Sequence, residues 1–206
     1  LASIEIIIAS RNRGKIGEIR DILSLEGVPV FDLIQLGFEE PIEEVGSSFL
    51  ENALIKARTV YRRYQKPVIA DDSGLVVPRL NGEPGVRSAR YAGPGADDRR
   101  NNELLLEKLG EARGEGRRAW FVCTAVFLYD EEKYRVAEGR VDGTIGLEPR
   151  GRGGFGYDPL FYLPHFGKTM AQLTEGQKNE ISHRGAAFRS LKTDIQAFFA
   201  GGGSAP

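Results

Sequence analysis

Two long runs of strand-forming residues, RRAWFVCTAVFLYD and YRVAEGRVDGTI, are separated only by a short polar turn around Asp130 to Lys133. Runs rich in β-branched and aromatic residues, joined by so short a connection, pair as an antiparallel hairpin. The chain begins differently. Ile4 to Ala9 reads as a buried strand, and Lys15 to Glu26 as a helix with Ile16, Ile19, Ile22, Leu23 and Leu25 on one side, ended by Gly27 and Pro29. Ser48 to Tyr64 reads as a second helix: Ser48 and Glu51 have capping-box spacing, and Phe49, Ala53, Ala57, Val60 and Tyr64 form a stripe. Pro67 leads into the short strand VIA, a third helix is expected over Asp98 to Leu109, and a last one over Ile181 to Phe199. Strand–helix–strand order at the start and a hairpin later predict an α/β fold with a mixed, twisted sheet flanked by helices.

A chain of 206 residues accommodates one domain with room for two lobes. The formal net charge of -1 lacks the broadly basic footprint of a duplex-binding protein, so no stable nucleic-acid complex is expected. The single cysteine, Cys123, lies in the apolar run AWFVCTAVFLY and reads as a buried thiol, with no internal disulfide available to it. Two histidines and one cysteine do not make a structural zinc site. No apolar segment approaches the roughly 20 residues of a membrane helix, and the N-terminal apolar run lacks a basic leader, so no membrane association and a cytoplasmic location are expected. The tail AGGGSAP reads as a flexible end.

Chemistry concentrates in the loops. SRNRGK, Ser10 to Lys15, follows a strand and opens a helix. The first amides of a helix are unpaired and carry the positive end of its dipole, which favours an anion, phosphate above all. Gly14 lets a ligand approach the backbone, Lys15 adds a compact cation, and Ser10 and Asn12 add polar groups. The Gly-x4-Gly-Lys-Ser/Thr spacing of a Walker loop is absent. In IADDSGL, Asp71 and Asp72 follow a short apolar strand and Ser73-Gly74 is expected to turn the chain. Paired carboxylates at such a place suit Mg2+. Glu43 and Glu44, just before the second helix, read either as solvated charges or as a further metal ligand.

GRGGFGYDPLFY brings glycines that strip side chains from a loop, with Phe155 or Tyr157 as the aromatic to stack on a base and a tight turn folded into the core as the alternative. In KNEISHRGAAF, Lys178, His183 and Arg184 are expected at the start of the last helix, where cations oppose the dipole unless an anion is bound. Together these pieces point to a phosphorylated, base-bearing small molecule and a divalent metal.

The chain resembles the ITP/XTP pyrophosphatases, the Ham1-type non-canonical purine NTP pyrophosphatases. ASRNRGK is similar to the family's N-terminal signature, and FLENALIKA, ADDSGL, PGVRSARYAG, GGFGYDPLF and ISHRGAAF match family blocks in family order, from about Ile4 to Leu191. The resemblance implies a mixed elongated sheet with two lobes, an active site in the cleft between them, and a homodimer. It implies Mg2+ and hydrolysis of dITP, ITP or XTP to the monophosphate and pyrophosphate. It places the triphosphate loop on Ser10, Arg11, Asn12, Arg13, Gly14 and Lys15. The metal-binding glutamate falls on Glu43 with Glu44 as the alternative, and the catalytic, metal-binding aspartate on Asp72, followed by the substrate contact Ser73. The base-and-sugar loop falls on Phe155, Gly156, Tyr157 and Asp158, and the remaining substrate contacts on Lys178, His183 and Arg184. Ser10 replaces the commoner Thr and keeps the hydroxyl. Two rivals stand beside this reading: a catalytically weak nucleotide sensor on the same fold, and a nucleic-acid module using the Arg-rich loops, whose mark would be steeply salt-dependent oligonucleotide binding.

Overall fold

The computed structural model describes residues 5–202. The first residue of the expected opening strand, Ile4, and the last four of the tail lie outside that range. Among the described residues, seven strands form one sheet in the order β2-β1-β3-β4-β5-β6-β7. These are β1 (Ile6–Ile8), β2 (Val30–Asp32), β3 (Val68–Val76), β4 (Arg118–Leu128), β5 (Tyr134–Ile145), β6 (Phe161–Leu163) and β7 (Lys168–Thr169). β1 runs parallel to both β2 and β3, with Ile7 opposite Phe31 and Val68, whereas β5–β6 and β6–β7 are antiparallel. The expected mixed sheet is therefore present. Its helices are α1 (Arg13–Leu23), α2 (Phe49–Tyr64), α3 (Asp98–Leu109), α4 (Glu175–Ile181) and α5 (His183–Ala200).

The chain divides into two compact units, one comprising the chain up to Asp72, Cys123–Gly139 and the chain from Arg184 onward, the other Ser73–Val122 and Arg140–His183. In the first unit, alternation along the strands buries both sheet faces. Ile6, Ile8, Ile69, Cys123, Ala125 and Phe127 meet α1 and α5 on one side, through Ile16, Ile19, Leu191 and Ile195. Ile7, Ala9, Val68, Ala70, Val126 and Leu128 meet α2 on the other, through Ala53, Ala57 and Val60. The second unit has its own core, in which Leu105 and Leu109 of α3 join Leu75, Phe121, Ile145, Leu160 and Phe161.

Several local expectations need correction. α1 stops at Leu23, not Glu26, because Ser24 adopts a left-handed conformation (φ 43°) and its N–H returns to the Arg20 carbonyl. The strand expected as VIA continues to Val76, so Asp71, Asp72, Ser73 and Gly74 lie within it and Ser73-Gly74 does not turn the chain. The last helix starts at His183. A separate short helix precedes it, opened by a reciprocal capping box between Thr174 and Gln177. Lys178 therefore sits in the last turn of α4, where a cation complements the dipole, and the expected conflict applies to His183 and Arg184 alone.

Candidate active site

In the first unit the acidic pair lies mid-strand in β3, both carboxylates buried. Three cations reach it. Lys15 Nζ donates to Asp71 Oδ2 at 3.0 Å. Arg184 Nε stands 3.5 Å from the same oxygen, and its Nη1 is bonded to Glu18. Lys56, on the buried face of α2, stands 3.6 Å from Asp72 Oδ1 and 3.3 Å from Glu44 Oε1. Burial pushes the Asp72 carboxyl above its ordinary value, with Lys56 and Lys15 offsetting only part of that cost. Burial also opposes the charge on Lys56, but Asp72, Asp71 and Glu44 outweigh it and hold the ammonium above its ordinary range. The Arg184 guanidinium, fully buried, is likewise held charged by Asp71 and Glu18 against desolvation.

The two candidate glutamates part company here. Glu44 is half-buried and joins the Lys56–Asp72 group, whereas Glu43 is exposed. The chain turns tightly at this point, Val45 N–H donating to the Glu43 carbonyl at 3.1 Å.

The loop before α1 is built as an N-terminus. Asn12 is the N-cap, its side chain accepting from Lys15 N–H at 3.0 Å, and Ser10 Oγ accepts from Asn12 N–H at 3.2 Å. No acidic residue lies in the first turn of α1, so the positive end of its dipole is uncompensated from within the helix. Arg11 turns sideways to the carbonyls of Glu39 and Glu40, bracing the segment that leads to Glu44. Arg13 and Gly14 are exposed at the helix start.

Sequence reasoning passed over Asn52 and Lys56. Both lie one turn apart on the buried side of α2, between Phe49 and Val60. Two polar residues interrupting an apolar stripe at helical spacing were the signal, since polar groups enter a core only with partners.

The second unit carries the glycine-rich loop. Asp158 Oδ2 accepts from Phe155 N–H at 2.9 Å and from Lys178 Nζ at 2.5 Å, and Lys178 lies over the Phe155 ring, 4.5 Å from its centroid. Gly154 has φ +71°, and a Cβ there would collide with the Asp158 carboxylate, so the loop needs glycine at that point. Gly156 is fixed from α3: its N–H donates to Asp98 Oδ2 at 2.7 Å and its carbonyl accepts from Asn102 Nδ2 at 2.9 Å. Tyr157 points the other way. It is buried, and its hydroxyl donates to the Ser88 carbonyl at 2.9 Å, which leaves Phe155 as the half-buried aromatic of the loop. His183 is buried against Phe121, rings stacked 4.8 Å apart. Ser73, next to Asp72 in β3, is half-buried.

An open mixed sheet flanked by helices, with an Asn-capped helix start after its first strand and a buried acidic pair in a neighbouring strand, defines the protein as α/β. Solved structures share the architecture: a HAM1 protein from Coxiella burnetii superposes with TM-score 0.85 at 40% identity, covering 94% of this chain and 99% of that one. The Staphylococcus aureus Ham1 protein gives 0.83 at 44% identity, covering 94% and 98%. The sequence model of the Ham1 family matches residues 6–194, and the chain belongs to that family. Relatives named dITP/XTP pyrophosphatase include those of Halalkalibacterium halodurans, 46% identical over 91% of this chain and 96% of its own length, and of Bacillus subtilis, 47% identical over 94% and 98%.

Proposed function

We propose that this chain hydrolyses non-canonical purine nucleoside triphosphates, dITP, ITP and XTP, to the monophosphate and pyrophosphate. The observation that carries the reading is the buried Asp71–Asp72 pair gathered with Lys15, Lys56 and Glu44, in a family whose relatives carry the name dITP/XTP pyrophosphatase. The intact Asp71–Asp72 pair, buried beside Lys15 and Lys56, speaks for turnover over a binding-only sensor.

The donor set fits Mg2+. Asp72 and Glu44 offer hard carboxylate oxygens, and among the described residues no three acidic, histidine or cysteine side chains gather as a closed metal cage. Such a cation would complete its shell with water and phosphate oxygens, as Mg2+ does. When bound, it supplies charge neutralisation on the phosphates. The rest is done by the chain. The amides at the start of α1 and Lys15 hold the polyphosphate. Asp72 takes a proton from water as the water oxygen attacks phosphorus. The bond to the bridging oxygen breaks, and its electron pair leaves with pyrophosphate, whose growing charge Lys15 stabilises. Phe155 stacks on the base, while Asp158 and Lys178 fix the loop that presents it. Ser73 contacts the substrate, and His183 and Arg184, donors set in buried surroundings, serve the discrimination of purines.

No helix among the described residues is long and apolar enough to cross a membrane. A cytoplasmic homodimer is part of the proposal, and a monomeric mass by light scattering at micromolar concentration would remove the dimer from it. The reaction is tested by incubating the protein with ITP, dITP, XTP, GTP and ATP plus Mg2+ and identifying products. Monophosphate and pyrophosphate from the first three are expected. Binding without turnover would favour the sensor.

A further inference from the structure

Resting on that reading, we propose that Asn52 is a positioning residue that ties the Glu44 segment to Asp72 and so sets the spacing of the two metal-binding carboxylates. Asn52 is fully buried in the first turn of α2 and uses both ends of its amide. Its Oδ1 accepts from Gly46 N–H at 2.8 Å, and its Nδ2 donates to Asp72 Oδ2 at 3.0 Å. One planar group thus joins the backbone two residues after Glu44 to the carboxylate proposed as base. The joint is tight. A Cβ on Gly46 would lie 2.7 Å from Asn52 Oδ1 and 2.7 Å from Glu51 Cβ, so only glycine lets the segment approach. The helix start is locked as well: Ser48 Oγ accepts from Glu51 N–H at 3.2 Å, and Glu51 Oε2 accepts from Ser47 N–H at 2.7 Å and Ser47 Oγ at 2.9 Å. The glutamate of the expected capping box therefore reaches one residue further back than Ser48.

The consequence is geometric. Mg2+ demands near-ideal octahedral placement of its ligands. Glu44 lies on an irregular segment with no strand partner and Asp72 on a central strand, so their separation needs a rigid link. Asn52 supplies one with a donor for the carboxylate and an acceptor for the amide, a pairing that aspartate, leucine or alanine cannot reproduce. Partners of this kind, one step behind the ligands, typically change metal affinity 10- to 100-fold, and about tenfold is expected here.

The test follows Mn2+ binding to the whole protein by the loss of free-ion electron paramagnetic resonance signal, beside the Mg2+ concentration for half-maximal ITP hydrolysis. Asn52→Ala is expected to weaken Mn2+ binding about tenfold and raise the Mg2+ requirement by a similar factor, with the ITP KM at saturating Mg2+ unchanged. Gly46→Ala, which breaks the same joint from the segment side, is expected to do likewise, and it decides the matter if Asn52→Ala does not fold. Wild-type Mn2+ affinity and Mg2+ requirement in a folded variant would overturn the proposal while leaving the hydrolase reading intact. A wild-type protein that neither binds Mn2+ nor turns over ITP would instead overturn the reading beneath it.

Discussion

Lys15 Nζ, from the first turn of α1, and Asp71 Oδ2, from the middle of β3, are joined at 3.0 Å across 56 residues of sequence. The contact brings the cation at the start of α1 to the acidic pair. A triphosphate placed at the helix start would meet a lysine already held in place, which lowers the entropy lost on binding.

Lys15→Met is expected to weaken use of ITP more than binding of IMP, because the lost interaction scales with phosphate charge. Steady-state kinetics for ITP and product inhibition by IMP measure both. Equal losses would move Lys15 out of the polyphosphate site.

Asp72→Asn keeps the shape of the side chain and removes its charge and basicity. Turnover should fall by about 10²-fold or more, the scale of losing a group that acts on the transition state. Nucleotide binding, followed by thermal shift with ITP, should survive. A variant retaining a tenth of the wild-type rate would displace Asp72 from the catalytic role.

The pH dependence follows from the direction of the Asp72 shift. Burial raises its pKa, so the carboxyl stays protonated to higher pH than an ordinary aspartate. The base is lost as pH falls through that raised value, and the acid limb of the rate profile should begin above the usual carboxylate range. Proton and Mg2+ compete for the same oxygens, so raising Mg2+ should move the limb to lower pH, by up to about one unit per tenfold once Mg2+ exceeds its dissociation constant. Rate profiles at two Mg2+ concentrations check it, and a limb that does not move with Mg2+ would separate the base from the metal ligand.

Phe155 and Tyr157 are two residues apart with opposite expected phenotypes. Phe155→Ala removes the stacking surface, worth ~1–3 kcal/mol per base, and should raise the ITP KM roughly 5- to 150-fold with little loss of stability. Tyr157→Phe removes only the hydrogen bond to the Ser88 carbonyl and should lower stability by about 1 kcal/mol with KM unchanged. Urea denaturation and ITP kinetics on both variants distinguish the roles.

Local pattern alone located much of this protein. Ile6 to Ile8, the α1 and α2 stripes and the 118–145 hairpin were legible because period and side-chain type are properties of a segment. So was the acidic pair, since adjacency is also local; the start of α1, expected at Lys15, lies at Arg13 with Asn12 as its cap. What the sequence left open was every choice that depends on a distant partner. Whether Glu43 or Glu44 faces the acids depends on where α2 delivers Lys56, and whether Phe155 or Tyr157 enters the core depends on the Ser88 carbonyl. Strand β3 outran its apolar stretch because neighbouring strands and the cations of Lys15, Lys56 and Arg184 make an extended, buried Asp-Asp segment tolerable. Buried charge is stable only when paired, and pairing across tens of residues exists only once the chain has folded.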